Sequence, residues 1–208
     1  MALASKVLVY GASGHGKVVA EVARALGHEV VGFIDDGVAP GTRVLGVAVD
    51  GDFAWLVRAR PDAVIALGVG ANATRLVLAG RVVGAGFTLG TFVHPRAWVS
   101  PSATLGAGTV VMANAVVNAD TIVGEGVILN TGAIVEHDCT LGRFAHVSPN
   151  AALGGGVTVG ECSQVGLGAS VRPLARIGRD CVVGAGSVVL DEVPDGAVVA
   201  GVPTRLLR

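Results

Sequence analysis

One short segment of the sequence concentrates ionisable side chains that could move a proton. Glu136, His137 and Asp138 are consecutive, within a stretch otherwise made mostly of Ala, Val, Gly and Asn. A neutral imidazole near pH 7 can accept a proton from an attacking amine or hydroxyl, and a neighbouring carboxylate can fix its tautomer. Adjacent residues of a strand face opposite sides, so Asp138 can partner His137 only where the backbone turns. The segment predicts a general base, with a solvated surface histidine as the alternative.

A glycine-rich loop near the N-terminus is a second candidate site. The loop GASGHG at 11–16 separates a strand-like segment, 6–10, from a helical pattern over 18–26. Backbone N–H groups and the positive end of a helix can hold phosphates at such a loop. Its GxxGxG spacing differs from the dinucleotide pattern, and the glycines could serve backbone geometry alone. Asp35 and Asp36 follow the next strand, where a ribose or base is commonly bound.

The elements around this loop alternate between strand and helix. Further strands are predicted at 30–34 and 63–67, the latter ending on Gly68, and a helix over 72–83. This alternation predicts a small Rossmann-like parallel sheet in a domain 1–88. Fewer than 90 residues make half of a doubly wound fold, which suits a mononucleotide group and is too small for NAD. We therefore expect a nucleotide-linked ligand and no hydride transfer.

The remainder, 89–208, repeats with a period of six. Every sixth residue from Val93 to Val189 is Val, Leu or Ile, and the residue two places before each is small or β-branched. Such a period is typical of short strands around a three-sided prism, whose coils stack about 4.8 Å apart. Cys139 and Cys181 fall on the small inward position, which predicts packing and no acyl-enzyme. His146 lies nine residues after His137, hence on another side of the prism.

Composition narrows the class of protein. The chain has 208 residues, 51% hydrophobic and 4% aromatic, with 32 Gly, a net charge of −1 and a pI near 6.5. Disorder and collagen are excluded, and a basic surface for nucleic acid or an anionic membrane is missing. The beginning of the sequence carries no signal-peptide pattern, and three Cys without CxxC spacing predict neither a disulfide framework nor a thiolate metal site. We expect a cytoplasmic protein.

Several motifs together resemble one known family. They are YGASGHGKVV at 10–19, the acidic pair at 35–36, the hexapeptide array, ILNTGAIVEHDC at 128–139, FAHVSPNA at 144–151 and VPDGAVVAGVPTRLL at 193–207. The sequence is similar to hexapeptide-repeat sugar O-acyltransferases and nucleotide-sugar N-acetyltransferases, which include sialic acid O-acetyltransferases and bacillosamine-pathway UDP-4-amino-sugar N-acetyltransferases. The resemblance implies a left-handed parallel β-helix after the α/β domain. It also implies acetyl-CoA as co-substrate, and a homotrimer with acetyl-CoA between adjacent prisms.

The resemblance also implies roles for particular residues. His137 would be the general base and Asp138 the acid that tunes it. The acetyl-CoA contacts would be His146, Gly166, Leu167, Gly184 and Ala185, and the nucleotide-sugar contacts Ser13, Gly14, His15, Asp35, Asp36 and Gly68. The expected reaction is direct attack of a sugar amine on the thioester. Backbone N–H groups or His146 would stabilise the thioester oxygen.

Other functions fit parts of the sequence. Transfer to a sugar hydroxyl, as on sialic acid, uses the same residues, and a non-catalytic nucleotide-sugar binding protein could keep the fold. A zinc site of the carbonic anhydrase kind would need His94, His137 and His146. Their spacings of 43 and 9, and the Asp directly after the central His, argue against it. We expect no metal.

Overall fold

Alternating apolar strands and amphipathic helices build the first part of the chain. The structure, a computed structural model, describes residues 5–208, so 1–4 of the predicted domain 1–88 lie outside it. The elements are β1 (Lys6–Tyr10), α1 (Gly14–Ala25), β2 (Glu29–Ile34), β3 (Arg43–Val44), β4 (Val47–Gly51), α2 (Phe53–Ala59), β5 (Val64–Leu67) and α3 (Asn72–Gly84). The sheet order is β3-β4-β2-β1-β5, and every pair is parallel except the β3–β4 hairpin.

The central strand β1 is buried on both faces, which explains its unbroken apolar sequence. Val7 and Val9 pack with α1, whereas Leu8 and Tyr10 pack with residues of α2 and α3. The carboxyl ends of β1, β2, β4 and β5 therefore meet at one edge of the sheet. The glycine-rich loop and Asp35 lie at this edge, as the alternation of strands and helices predicts.

Two details differ from the sequence prediction. Helix α1 begins at Gly14, before the predicted start at 18, so Gly14 and His15 lie in its first turn. The segment containing β3, β4 and α2 was not predicted. Asp52 caps α2, since its side chain accepts a hydrogen bond from the Trp55 N–H at 2.8 Å. A helix of seven residues is too short to show a clear helical period.

The second part of the chain winds into a three-sided prism of parallel sheets. One sheet contains β7 (Trp98–Val99), β10 (Val116–Val117), β13 (Ile134–Val135), β16 (Ala152–Leu153), β19 (Ser170–Val171) and β22 (Val188–Val189). The second contains β8 (Thr104–Leu105), β11 (Ile122–Val123), β14 (Thr140–Leu141), β17 (Thr158–Val159) and β20 (Arg176–Ile177). The third contains β6 (Phe92–Val93), β9 (Val110–Val111), β12 (Ile128–Leu129), β15 (His146–Val147), β18 (Gln164–Val165), β21 (Val182–Val183), β23 (Val198–Ala200) and β24 (Arg205–Leu206). The β23–β24 pair is the antiparallel exception. Ile134 pairs with Ala152, so one coil takes 18 residues, or three hexapeptides.

The inward column follows the six-residue period. From Val111 to Val189 every sixth aliphatic residue is buried, as is the small residue two places before it from Thr109 to Ser187. Cys139 and Cys181 belong to this column, which confirms their packing role. At the corners between strands many residues adopt the left-handed conformation, among them Asp138, Phe144 and Cys162 with φ of 59°, 56° and 56°.

The fold class predicted from the sequence is confirmed: a small α/β domain is followed by a left-handed parallel β-helix. Among residues 5–208 the longest helix has 13 residues, and none is long and apolar enough to cross a membrane.

Candidate active site

His137 and Asp138 are hydrogen-bonded at an exposed corner of the prism. His137 Nδ1 lies 2.7 Å from Asp138 Oδ2, and the two side chains are 62% and 65% exposed. The contact is possible because Asp138 adopts φ of 59°, the backbone turn that the sequence analysis required. The hydrogen bond from the imidazole to this carboxylate raises the pKa of His137. With Nδ1–H donating to Asp138, Nε2 is left as the proton acceptor.

The imidazole of His137 rests on a glycine of the next coil. A Cβ on Gly155 would lie 2.6 Å from His137 Cε1 and 2.7 Å from Nε2. The Gly156 N–H donates to the His137 carbonyl at 2.8 Å, which holds this corner in register. Gly155 therefore makes room for the His137 ring, a contact that the sequence analysis did not predict.

His146 is held as a neutral N–H donor. Asn130 Oδ1 accepts from the Thr131 N–H at 2.8 Å, so the Asn130 Nδ2–H group faces His146 Nε2, 3.0 Å away. Nε2 therefore accepts, and the proton of the neutral ring is on Nδ1. Burial, together with the positive charge of Arg75, lowers the pKa of His146 to about 3. His146 is thus unsuited to be the base and suited to donate to a ligand oxygen.

The first turn of α1 brings a second histidine to His146. The His15 and His146 rings lie 6.4 Å apart between centroids, although 131 positions separate them in the sequence. Burial, with Arg75 nearby, lowers the pKa of His15 to about 4. His15 Nε2 is buried without a hydrogen-bond partner among the described residues. The glycine-rich loop and His146 therefore share one region of the molecule.

These two histidines make stability depend on pH. Both imidazoles are neutral when folded, whereas unfolded histidine binds a proton near pH 6.5. Their stabilisation is complete above pH 6.5 and is lost as the pH falls toward 4 and then 3, because the unfolded chain binds more protons. We expect the free energy of unfolding to fall by up to about 1.4 kcal/mol per pH unit for each histidine. Urea unfolding at pH 7.5, 6 and 5 measures it.

The control for this prediction is the His146→Asn variant, whose free energy of unfolding is measured across the same pH series. Its slope of unfolding free energy against pH should be about half that of the unaltered chain, since one of the two linked groups is gone. Equal slopes in the two proteins would mean that His146 is not the source of the pH dependence.

The glycine-rich loop owes part of its composition to packing. A Cβ on Gly16 would collide with the Gly11 carbonyl, and one on Gly68 would lie 2.8 Å from the same oxygen. Gly14, in contrast, has open space around it, and the Ser13 side chain makes no capping hydrogen bond to α1. The structure therefore assigns Gly11, Gly16 and Gly68 to close backbone packing. Ser13 and Gly14 remain exposed at the helix N-terminus, where an anion would be favoured.

Asp35 and Asp36 have different structural roles. Asp35 orders the loops, since it accepts from the Ala12 N–H at 2.8 Å and from the Gly37 N–H at 2.9 Å. Asp36 accepts from Tyr10 Oη at 3.0 Å, from the Phe53 N–H at 3.0 Å and from Arg81 at 2.8 Å. Partial burial acts to raise the pKa of Asp36, but these donors hold it below its usual range.

A cavity of about 490 Å³ opens beside Asp35, at the carboxyl ends of β2 and β4. Its lining includes Pro40, Asp50 and Trp55. This is the side of a parallel sheet on which nucleotides usually bind.

The residues predicted to contact acetyl-CoA lie along one sheet edge. His146 is in β15, and Gly166-Leu167 and Gly184-Ala185 follow β18 and β21, the next two strands of that sheet. Leu167 is 57% exposed, and the Gly186 N–H donates to its carbonyl at 2.7 Å. His137 follows β13 in a different sheet. The structure thus groups His15 with His146 and separates both from His137 by a corner of the prism.

No group of three or more His, Cys, Asp or Glu side chains within residues 5–208 is arranged to hold a metal ion. Sequence reasoning also missed Asn72, Arg75 and Asn130, because their partners lie far away in sequence. No local signal pointed to Arg75, since α3 also contains the polar residues Asn72, Thr74 and Arg81.

The chain is similar to a known domain family and to several proteins of known structure. Residues 6–82 match the family described as PglD N-terminal domain. The acetyltransferase domain of PglB from Neisseria gonorrhoeae is 41% identical, with a TM-score of 0.92, over 98% of this chain and 100% of that one. That domain has also been solved with acetyl coenzyme A.

Two further structures are similar over nearly the whole chain. PerB from Caulobacter crescentus, in complex with CoA and GDP-perosamine, is 43% identical over 97% of this chain and 96% of that one, with a TM-score of 0.92. WeeI from Acinetobacter baumannii is 25% identical over 97% of this chain and 99% of that one, with a TM-score of 0.91.

The chain shares both parts of its fold with the PglB domain and with PerB. It is more than 40% identical to each of them over nearly its whole length. A variant of perosamine N-acetyltransferase from Caulobacter crescentus, solved with CoA and GDP-perosamine, is 42% identical over 97% of this chain and 96% of that one, with a TM-score of 0.93. The chain therefore belongs to the family of acetyl-CoA-dependent nucleotide-sugar N-acetyltransferases.

Proposed function

We propose that the chain transfers the acetyl group of acetyl-CoA to the amine of a nucleotide-linked 4-amino sugar, UDP-linked as the resemblance implies, with His137 as the general base. The observation that carries this proposal is the 2.7 Å hydrogen bond between His137 and Asp138 at an exposed corner. It orients an imidazole outward with Nε2 available, as direct amine attack requires.

The reaction needs one proton acceptor and one oxyanion donor. The sugar amine attacks the thioester carbonyl, so a C–N bond forms while His137 Nε2 takes the amine proton. The C–S bond then breaks, and the leaving CoA thiolate accepts the proton from the His137 imidazolium, which restores the neutral base. A neutral N–H donor stabilises the thioester oxygen as charge develops. His146 Nδ1–H or a backbone N–H supplies it.

The proposed active site lies between two copies of the chain, in a homotrimer. The separation of His137 from His146 and His15 on different sides of the prism supports a site shared between copies, and the trimer is what the family resemblance implies. In this arrangement one copy supplies the nucleotide loop and His146, and its neighbour supplies His137. The exposure of the His137 and Asp138 side chains in the single chain fits such a shared site.

The nucleotide would lie across the carboxyl edge of the α/β sheet. Ser13, Gly14 and His15 would meet the phosphates at the N-terminus of α1. The cavity beside Asp35 would receive the base or ribose. Because the relative PerB was solved with GDP-perosamine, GDP-linked as well as UDP-linked sugars are tested as acceptors.

Changing Asp138 should move the pH profile of the reaction. Asp138 holds the pKa of His137 above its usual range, so the base becomes neutral only as the pH rises through that higher value. In Asp138→Asn the pKa of His137 falls, and we expect the acid limb of kcat against pH to move to lower pH. The maximal rate should also fall, because the amide orients the imidazole less strongly. Steady-state rates between pH 5 and 9 measure both effects.

The matched control for this series is Asp120→Asn. Asp120 occupies the equivalent corner one coil earlier, with φ of 57°, and has no histidine before it. Its pH profile should equal that of the unaltered chain. An acid limb that stays in place in Asp138→Asn would contradict the role given to Asp138.

The proposed function is tested by release of the CoA thiol from acetyl-CoA with a panel of UDP-, GDP-, dTDP- and CMP-linked sugars, 4-amino sugars and sialic acid included. We expect rapid release with one nucleotide-linked 4-amino sugar and none with its 4-hydroxy counterpart. Release with hydroxyl acceptors alone, or binding of nucleotide sugars without any release, would overturn the proposal.

We place the reaction in the cytoplasm, since acetyl-CoA is a metabolite of that compartment.

A further inference from the structure

One arginine is completely buried between the α/β domain and the prism. Arg75, in the first turn of α3, has an exposed fraction of 0%. Burial lowers the pKa of its guanidinium to about 10, so it stays charged at neutral pH. No carboxylate is within ion-pair distance of it among the described residues. A buried charge without a counter-ion is costly unless hydrogen bonds satisfy it.

The guanidinium is held by oxygens from both parts of the chain. On the α/β side it donates to the Val69 and Gly70 carbonyls at 3.2 and 2.9 Å. On the prism side it donates to the Gly126 and Phe144 carbonyls, each at 2.7 Å. No other side chain among the described residues donates a hydrogen bond to any of these four carbonyls.

Asn72 extends the same contact to the next coil. Its Oδ1 accepts from Arg75 at 3.0 Å, and its Nδ2–H group donates to the Cys162 and Ser163 carbonyls at 2.9 and 3.2 Å. Gly126, Phe144 and Cys162 are 18 residues apart, at one corner of three successive coils. The first turn of α3 therefore lies across a ladder of three equivalent corners.

Both ends of this contact are next to residues given a role in the proposed site. Gly70 lies beside His15, with the place of a Gly70 Cβ 3.9 Å from the His15 Cβ. Phe144 directly precedes Ala145 and His146, and the His146 N–H donates at 2.9 Å to the same Ser163 carbonyl that Asn72 contacts. One pair of side chains thus touches the backbone on the nucleotide side and on the acetyl-CoA side.

We propose that Arg75 and Asn72 are a positioning pair that sets the distance between the nucleotide-sugar loop and His146, and so aligns the sugar amine with the thioester. The proposal rests on the proposed function. It assigns no contact with substrate to either residue. Misplacement of reacting groups by about 1 Å can cost 100-fold in rate, so a contact remote from the chemistry can govern turnover.

The charge of Arg75 supports the same arrangement. It acts with burial to keep His15 and His146 neutral, so both rings can face one another and ligand oxygens without repulsion. Arg75 is the charged group that lowers the pKa of both rings, and His15 lowers that of His146 as well. Loosening the contact would admit water and make both rings easier to protonate.

The experiment compares Arg75→Lys and Asn72→Ala with the unaltered chain. Lys keeps the charge and cannot span carbonyls on both sides, because it lacks the planar fork of donors. We expect kcat to fall about 10- to 100-fold in Arg75→Lys and to a smaller extent in Asn72→Ala. Calorimetric affinities for CoA, and for whichever of UDP or GDP the unaltered chain binds, should stay within about threefold. Arg24→Lys, an exposed arginine of α1 with one carbonyl partner, is the matched control.

Two results would overturn the proposal. One is a folded Arg75→Lys protein with unchanged kcat, and the other is a loss of rate fully matched by lost affinity for CoA or nucleotide. If Arg75→Lys does not fold, Asn72→Ala decides between the same outcomes. NMR titration of His15 and His146 adds a readout independent of activity: both should begin to protonate at higher pH in the Lys variant, and unchanged titration contradicts the proposal. A wild-type chain that is inactive across the sugar panel refutes the proposed function instead.

Discussion

We expect His137→Gln to lower the rate of acetyl transfer by about 100- to 10,000-fold, the usual contribution of a general base. Glutamine has a similar length and polarity, but its amide cannot accept a proton from the attacking amine at neutral pH. Since the His137 side chain is 62% exposed, the substitution should leave folding unchanged. The measurement is thiol release from acetyl-CoA under saturating sugar, together with calorimetric binding of CoA, which should persist.

His94→Gln is the control for this substitution. His94 lies in the first coil, where its Nδ1 accepts from the Arg96 N–H at 3.0 Å and orders a turn. Its replacement should leave turnover unchanged. If His137→Gln kept the rate of the unaltered chain between pH 6 and 9, the base would have to be another group.

We also expect Gly155→Ala to reduce turnover about 100-fold while the protein still folds. The new methyl group would lie 2.6 Å from His137 Cε1, whereas ordinary van der Waals contact begins at 3.4 Å. The exposed ring must therefore move outward by about 1 Å. Displacement of that size is enough to lose the alignment between base and amine. Gly155 has no positive φ, so Ala brings no backbone strain. We therefore expect Gly155→Ala to lower kcat and to leave both the stability and the affinity for CoA unchanged.

Gly80→Ala provides the comparison for a methyl group added without a collision. No heavy atom lies within 4 Å of the place of its Cβ, and it is in the interior of α3, where Ala is favoured over Gly by about 1 kcal/mol. That variant should have full activity and equal or higher thermal stability. Full activity in Gly155→Ala would show that the position of the His137 ring in this structure is not the one used in catalysis.

Much of the α/β domain could be read from local patterns, but not all of it. β1 and α1 were predicted because an unbroken apolar run and a helical period are both strong signals. The segment from β3 to α2 was missed, since its strands and its helix are short and its capping residue, Asp52, acts through one local hydrogen bond. Helix α1 begins earlier than predicted, because Gly14 and His15 do not contribute to a helical pattern of apolar residues.

The sequence by itself determined the prism, because burial there depends only on position within a period of six, and the same residue type recurs at each inward place. It also singled out His137 and Asp138 as types suited to proton transfer. Only the tertiary structure decided that Asp138 turns back onto His137, that Gly155 seats the ring, and that Arg75 joins carbonyls 51 and 69 residues away. The physical reason is that these contacts depend on left-handed corners and on packing between distant segments, which no local pattern of residue types encodes.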